Sequence, residues 1–488
     1  MDVSNPIAIA RLILPQVPLM FKTAVLHSLG IPHTSTKWDL KTELIVKTLR
    51  SLLDPSQPSP ISKQQKASLH DPGIKGKMWI SKTTFPAPEQ DDVLKILNQA
   101  VEDLKEPSEK YTPTVMTAVE AEWTGYRANV DDHRQRPDLS ERQHYAKLMS
   151  EVESDATMLY FHGGAMFTMD PCTHRAITSY LAHLTKGRVL SVRYRLAPQN
   201  PFPAALLDAL IAYLSLLYPP PTESYSAQSF HAPVPAPHIV LAGDSSGGNI
   251  CLSLVQLLLQ INRSTTKSVS FHNHTINLPL PLPAACSTMS AWLDLTRSMP
   301  SIMTNACYDY LPPPISREEV SRFPSCKAWP TDPPRGDLYS DTSILCHPLV
   351  SPLIARDWTG SCPLWFSYGE EMLADEVQVL ASKAAKQGVT VVSEQFEAMP
   401  HCFALVLLGS PMSKKTYQNW AAFCRDAVKG EQMRTRGLWI EARTGIEKEM
   451  DVRTLCRISD GEVRERMEAA KAARNLGIEG EGKLLPKL

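Results

Sequence analysis

Hydrophobic period changes along the chain. Residues 1 to about 70 read as helical. Lys37–Leu53 (KWDLKTELIVKTLRSLL) places Leu40, Leu44, Ile45, Leu49 and Leu52/Leu53 on one side of a helix. Pro55, Pro58 and Pro60 end it. Ile74–Phe85 alternates apolar and polar residues and predicts a strand. Residues 86–150 are charged and mixed, which predicts helix in part. From Ala156 the pattern shortens into apolar runs. ATMLYF, VLSVRY (189–194) and HIVLA (238–242) read as buried strands, with helices at 205–218 and 249–260 between and after them. LWFSYG (364–369) and VTVVSEQFEAM (389–399) are two further strand-like runs. Strand and helix alternating at this spacing predict a mostly parallel sheet with helices on both faces.

Two insertions interrupt the rhythm. Residues 219–237 are rich in Pro, Ser and Ala, and residues 261–282 read as an exposed loop. The second carries His272-Asn273-His274, which lacks further metal ligands nearby, and two N-x-S/T triplets at Asn262 and Asn273. Near the C-terminus, Ser459-Asp460-Gly461-Glu462 fits a capping box, with Val463, Met467 and Ala470 repeating helically behind it.

Composition narrows the class. With 43% hydrophobic and 21% charged residues in 488, the chain is an ordinary globular one. Fifty basic residues against 51 acidic ones leave a net charge of −1, so no global basic field draws nucleic acid or an anionic membrane. Ten scattered cysteines include no C-x-x-C pair and are expected as free, mostly buried thiols. No run reaches the ~18 apolar residues of a spanning helix. Ile7–Phe21 comes nearest, and is read either as an interfacial docking segment or as packing against the main body.

The candidate chemistry starts at Gly243-Asp244-Ser245-Ser246-Gly247-Gly248, a G-x-S-x-G between an apolar strand and a helix. That context suits a nucleophile elbow with Ser245 as the nucleophile. The N–H of Ser246, at the helix start, can donate to an oxyanion. Upstream, His162-Gly163-Gly164-Ala165 follows the strand MLYF and supplies the small residues of an oxyanion loop. His162 is expected to shape that loop rather than act as a base. A serine hydroxyl needs a base and an orienting acid, in the chain order Ser, acid, His. Candidate acids follow LWFSYG at Glu370, Glu371 and Asp375, and His401 follows the next strand. Both positions lie just past strand ends, where open α/β sheets place their sites.

Taken together, YFHGGA (160–165), YRLAPQNPFPAALLDAL (194–210), GDSSGG (243–248), SAWLDLTRS (290–298), HPLVSPL (347–353), GEEMLAD (369–375) and MPH (399–401) resemble the hormone-sensitive-lipase branch of the α/β-hydrolases. Arylacetamide deacetylases and steryl acetyl hydrolases belong to that branch. The resemblance covers roughly residues 155–425 and implies an α/β-hydrolase fold with an N-terminal helical cap. The implied organisation is a cap region with a leading strand over 1–150, a catalytic domain over 151–430, and a charged accessory helix and tail over 431–488. It implies a triad of Ser245, Glu371 and His401, and an oxyanion hole of Gly163, Gly164 and Ser246. Met166 and Phe167 are the expected substrate contacts. Two departures stand out: Ala165 replaces a common third glycine, and the acid is Glu where many members have Asp. Asp208 and Asp294 match family positions of structural character. The implied activity is hydrolysis of a short, often acetyl, ester of a lipophilic alcohol such as a sterol or a fungal secondary metabolite, with no metal or cofactor and a small ester as the partner. The alternatives are a transesterase or cyclase using the same triad, and a ligand-binding protein on the same fold, which loses a triad member. The expected compartment is the cytosol, or the endoplasmic reticulum given the apolar N-terminus and the N-x-S/T triplets.

Overall fold

The strands, in chain order, are β1 (Met78–Phe85), β2 (Val119–Tyr126), β3 (Thr157–Phe161), β4 (Arg188–Arg193), β5 (Ile239–Asp244), β6 (Ser268–Phe271), β7 (His274–Asn277), β8 (Ala285–Met289), β9 (Leu364–Gly369), β10 (Val391–Phe396), β11 (Arg436–Ile440) and β12 (Glu447–Met450). The structure, a computed structural model, describes residues 13–54, 59–220, 229–312, 323–333 and 335–479. Ten strands form one sheet in the order β1-β2-β4-β3-β5-β8-β9-β10-β11-β12. From β4 across to β11 every pairing is parallel. The antiparallel pairings lie at the rims, β1 with β2, β2 with β4, and β11 with β12. The central strands β3, β5, β8, β9 and β10 are buried along their whole length; β3, β5 and β9 read as apolar runs for that reason, whereas β8 buries Ser287 and Thr288, and β10 buries Ser393, Glu394 and Gln395.

Helices cover both faces. On one lie Asp92–Leu104, Ala204–Leu217, Ser246–Arg263 and Ala374–Lys386. Val463 and Met467 of the C-terminal helix Asp460–Glu479 join that layer. Pro171–Thr185 and Pro411–Val428 lie on the other, with Trp38 and Val46 from the N-terminal region.

The charged flanks hold more sheet than their composition predicts. β2 carries Glu120 and Glu122 and was not expected. Glu122 is fully buried because Arg175 donates to both of its oxygens, at 2.6 and 2.7 Å. β11 and β12 extend the sheet within 431–450, where a helix and tail were expected. All four residues of β12 are exposed, so no apolar face marks it as a strand. The insertion 261–282 also departs from a plain loop, since β6 and β7 form a hairpin within it. Asn273 sits exposed at its turn, whereas the Asn262 amide is engaged on both sides by the Leu280 backbone.

Residues 7–12 of the apolar N-terminal run lie outside the described residues. The helix Val17–Ser28, in the remainder of that run and just beyond it, packs on the helix that follows, with His27 Nδ1 2.5 Å from the buried Glu43 carboxylate. It buries Thr23 and leaves Val17, Phe21 and Val25 exposed. The next helix, Leu40–Leu52, is capped by Asp39, whose carboxylate accepts from the Thr42 N–H at 2.7 Å. No described helix is long and apolar enough to cross a membrane.

Candidate active site

Ser245 stands between the end of β5 and the helix Ser246–Arg263, at φ 51° and ψ −120°. A non-glycine residue in that region is strained, and the surrounding structure must hold it there. Its N–H donates to the Met289 carbonyl at 3.0 Å, and its own carbonyl accepts from Trp292 at 3.1 Å and Asn249 at 3.2 Å. The glycines around it are required by space. A Cβ on Gly247 would lie 2.0 Å from the Phe161 carbonyl oxygen, and one on Gly243 would lie 2.7 Å from the Gly247 backbone.

The β3 loop reaches the serine from the neighbouring strand. A Cβ on Gly163 would lie 2.3 Å from Asp244 Oδ2 and 3.2 Å from the Ser245 Cβ, so only glycine brings this backbone so close. Gly163 was expected to turn its N–H to an oxyanion. Instead that N–H donates to Asp244 Oδ1 at 3.2 Å, because the buried carboxylate lies between the two loops and needs donors. Asp244 Oδ1 also accepts from Tyr160 Oη at 2.6 Å. Among the described residues no protein group takes the Gly164 N–H. Gly164 has φ 109°, and Ala165 and Met166 follow at 53° and 66°, a left-handed run that turns the loop back over the site. Met166 N–H donates to Ser246 Oγ at 3.2 Å, which ties this loop to the nucleophile helix. The Met166 and Phe167 side chains are buried in the core. His162 stacks on Tyr194 at 4.4 Å between ring centroids, and burial, with His174 nearby, lowers its imidazole to about 4. Its ring nitrogen Nδ1 contacts the Gly163 carbonyl at 2.7 Å, so it shapes the glycine loop.

Glu371 follows β9 and His401 follows β10, and the fold brings both to Ser245. His401 Nε2 lies 3.0 Å from Ser245 Oγ, and Nδ1 lies 3.2 Å from Glu371 Oε2. Glu371 is fully buried and His401 is 4% exposed, whereas Ser245 is partly open. Burial lifts the Glu371 carboxyl above the ordinary glutamate value, against the pull of His401. Burial alone would lower the His401 imidazole; the groups beside it, Cys402 and Glu371, reverse this and hold it well above the ordinary histidine value. The Cys402 thiol, pushed up to about 11 by its own burial, is neutral at pH 7, so the charge responsible is that of Glu371. Cys402 Sγ sits 3.5 Å from the same Nε2, a neighbour that nothing in the motif suggested.

The other acids have different duties. Glu370 accepts from the Ala398 N–H at 3.0 Å, and Asp375 from the Ser301 N–H at 2.7 Å, so each bridges loops and neither is simply solvent-facing. Asp208 holds the Arg195 guanidinium, and Asp294 accepts from Thr296 and Ser298. Among the described residues no three His, Cys, Asp or Glu side chains gather as a metal site.

The N-terminal region reaches the edges of this site. Trp38 Nε1 donates to the Ala398 carbonyl at 2.6 Å, and Lys37 Nζ pairs with Glu397 at 2.5 Å, both just before His401. Gln65 Nε2 donates to the Phe167 carbonyl at 3.0 Å, next to the glycine loop.

A parallel sheet with a strained serine at the end of one strand, and an acid and a histidine past two others, defines the class. The family model for the alpha/beta hydrolase fold matches residues 158–405, and the chain belongs to that family. It is similar to an acetyl-hydrolase of Streptomyces hygroscopicus, 29% identical over 273 residues that cover 56% of this chain and 76% of that one. It is also similar to an esterase of Acinetobacter venetianus, 28% identical over 277 residues, with 56% and 76% covered. A shorter stretch of 129 residues is 36% identical to a gibberellin receptor of Arabidopsis thaliana, covering 26% of this chain and 34% of the receptor.

Proposed function

We propose that this α/β-hydrolase is a serine carboxylic-ester hydrolase of the hormone-sensitive-lipase-like branch, with Ser245, His401 and Glu371 as its triad. The observation that carries the reading is His401 in contact with both partners at once, Nε2 toward Ser245 and Nδ1 toward Glu371. His401 takes the Ser245 proton as the hydroxyl oxygen attacks the ester carbonyl. Glu371 holds the imidazole in the tautomer that leaves Nε2 free to accept, and stabilises the imidazolium that forms. The Gly164 and Ser246 N–H groups are the donors we assign to the developing oxyanion, each worth ~3 kcal/mol of barrier. Gly163 contributes mainly by lacking a side chain. His401 then protonates the leaving alcohol, and a water it activates releases the acyl group.

The finer reading is removal of a short acyl group, acetyl first, from a lipophilic alcohol such as a sterol or a fungal metabolite. The names of the Streptomyces acetyl-hydrolase and the Acinetobacter esterase support the reaction type, and the motifs of the deacetylase branch support the short acyl group. The contacts of Gln65 with the glycine loop and of Trp38 with the loop before His401 support an N-terminal cover over the alcohol side.

The test is hydrolysis of p-nitrophenyl acetate, butyrate and decanoate by wild type and Ser245→Ala. The expected outcome is a short-chain preference in the wild type and a loss of ~10⁴-fold or more in kcat for the variant. A Ser245→Ala protein that keeps wild-type turnover would overturn the assignment, and a decanoate preference would overturn the short-acyl reading.

A further inference from the structure

The segment Ser301–Leu311 bridges the loops that carry Glu371 and His401. Ser301 Oγ donates to the Met372 carbonyl at 2.7 Å, and Asn305 Nδ2 donates to the carbonyl of Glu371 itself at 3.0 Å. Asp309 makes the larger connection. Its side chain is fully buried, and both oxygens accept from backbone N–H groups. Oδ1 takes Tyr310 at 2.7 Å, Leu311 at 3.2 Å and His401 at 3.2 Å, and Oδ2 takes Met372 at 2.8 Å. One carboxylate is thus bonded to the backbone of the residue after the acid and to the backbone of the base.

A carboxylate is costly to bury, and among the described residues no Lys, Arg or His side chain forms an ion pair with this one, though the charges of Arg50 and Arg297 act on it from farther off. Arg50 of the N-terminal region binds carbonyls of the same segment, those of Ala306 at 2.7 Å and Asp309 at 2.9 Å. Four charge-assisted hydrogen bonds offset the desolvation of Asp309, and such bonds are short and directional. A simple turn needs only the first two of them, from Tyr310 and Leu311. The other two reach loops on two different strands, the two that carry triad members.

We infer that Asn305 and Asp309 are positioning residues, which hold the Glu371 and His401 loops in a single register against Ser245. The inference rests on the triad reading above. Neither residue touches the reacting atoms. Their effect is geometric, because a misplacement of about 1 Å in a reacting group costs ~10²-fold in rate. Asp309 adds a second effect, a negative charge beside His401 that favours the imidazolium. The groups around that imidazole are Glu371 at Nδ1, Ser245 and Cys402 at Nε2, and the Tyr310 ring at 6.1 Å between centroids, with Asp309 on the backbone side.

The experiment uses the full chain with two probes. Diethyl p-nitrophenyl phosphate labels an activated serine, read by intact mass, and p-nitrophenyl acetate gives kcat and KM across pH, per labelled site. Asp309→Asn keeps the size of the side chain and removes its charge. The expected result is labelling and kcat both slowed by ~10²-fold, KM within about twofold, and the acid limb of kcat/KM moved to lower pH. A merely structural residue would change the fraction of active sites and leave kcat per site and the limb alone. A folded Asp309→Asn protein with the wild-type rate and limb overturns the inference. Should that variant fail to fold, Asn305→Ala decides: kcat per site lower by about tenfold at constant KM supports the clamp, and wild-type kinetics overturn it. A wild-type serine that is never labelled would instead sink the triad reading itself.

Discussion

The turn at Ser245 and the loops bearing Glu371 and His401 hold their side chains by different means. At Ser245 everything lies close along the chain or in the adjoining strand. Strand β5, the turn and the following helix are continuous, and Gly243 and Gly247 are packed against the Phe161 backbone. The turn is held mainly by packing, with hydrogen bonds to Met289 and Trp292 at and just past the end of the neighbouring strand β8. Glu371 and His401 sit on loops that are tied by hydrogen bonds from elsewhere, the 301–311 segment and the N-terminal residues Lys37 and Trp38. Packing dominates at the serine; at the other two residues a close approach of Gly369 to the Met399 backbone is joined by these borrowed hydrogen bonds, so the site is expected to fail in two ways, one by unfolding and one by losing rate.

The same difference explains what was legible in the sequence. Gly243–Gly248 could be read because a strand, a strained turn and a helix occupy adjacent residues. Chain order and the end of an apolar run pointed to His401 but left Glu370, Glu371 and Asp375 open as the acid; the choice of Glu371 came from the family resemblance. Asn305 and Asp309 carried no such signal, since their partners are backbone groups many residues away and any loop can contain an Asn or an Asp. The engagement of Gly163 N–H by Asp244 was equally hidden, being a contact between two motifs each read alone. At the sheet edges, β2 was obscured by Glu120 and Glu122, because pattern reading does not foresee that Arg175 permits a buried glutamate. β12 was obscured by its exposure on all sides.

The largest effect is expected from Gly247→Ala. The added Cβ would lie 2.0 Å from Phe161 O and 2.7 Å from His162 O, both backbone atoms that cannot swing away. The nucleophile helix must move off β3, at a cost of about 3 kcal/mol or more. The expected outcome is a large fall in melting temperature together with loss of esterase activity. A stable Gly247→Ala enzyme would show that the turn is not held by packing.

Glu371→Gln probes the other half and is expected to spare the fold. The amide keeps the shape and loses the charge, so kcat falls by ~10²–10⁴-fold. The pH profile carries the sign. The Glu371 carboxylate raises His401 above the ordinary histidine value, so activity is lost as pH falls through that raised value. Without the carboxylate the imidazolium loses its partner, and the acid limb moves to lower pH. A limb that stays in place in Glu371→Gln would assign the raised value to another group, with Asp309 the first to test.

The smallest effect belongs to Lys37→Ala, at the rim of the base loop. Lys37 and Glu397 meet at 2.5 Å, but their side chains are 33% and 18% exposed, so solvent and salt screen the pair. Such a bridge is worth up to ~1 kcal/mol, which shifts the melting temperature of a chain this size by no more than a few degrees. Trp38 still holds Ala398 through its indole N–H, and Glu397 Oε2 still accepts from the Ala442 N–H at 3.0 Å, so the backbone leading to His401 keeps two anchors. We therefore expect kcat within about twofold of wild type and a melting temperature whose small deficit disappears at high salt. A tenfold loss of kcat at an unchanged melting temperature would mean that the N-terminal region positions the base as directly as Asp309 does, and the division between a packed serine and a tethered histidine would have to extend to residues 37–50.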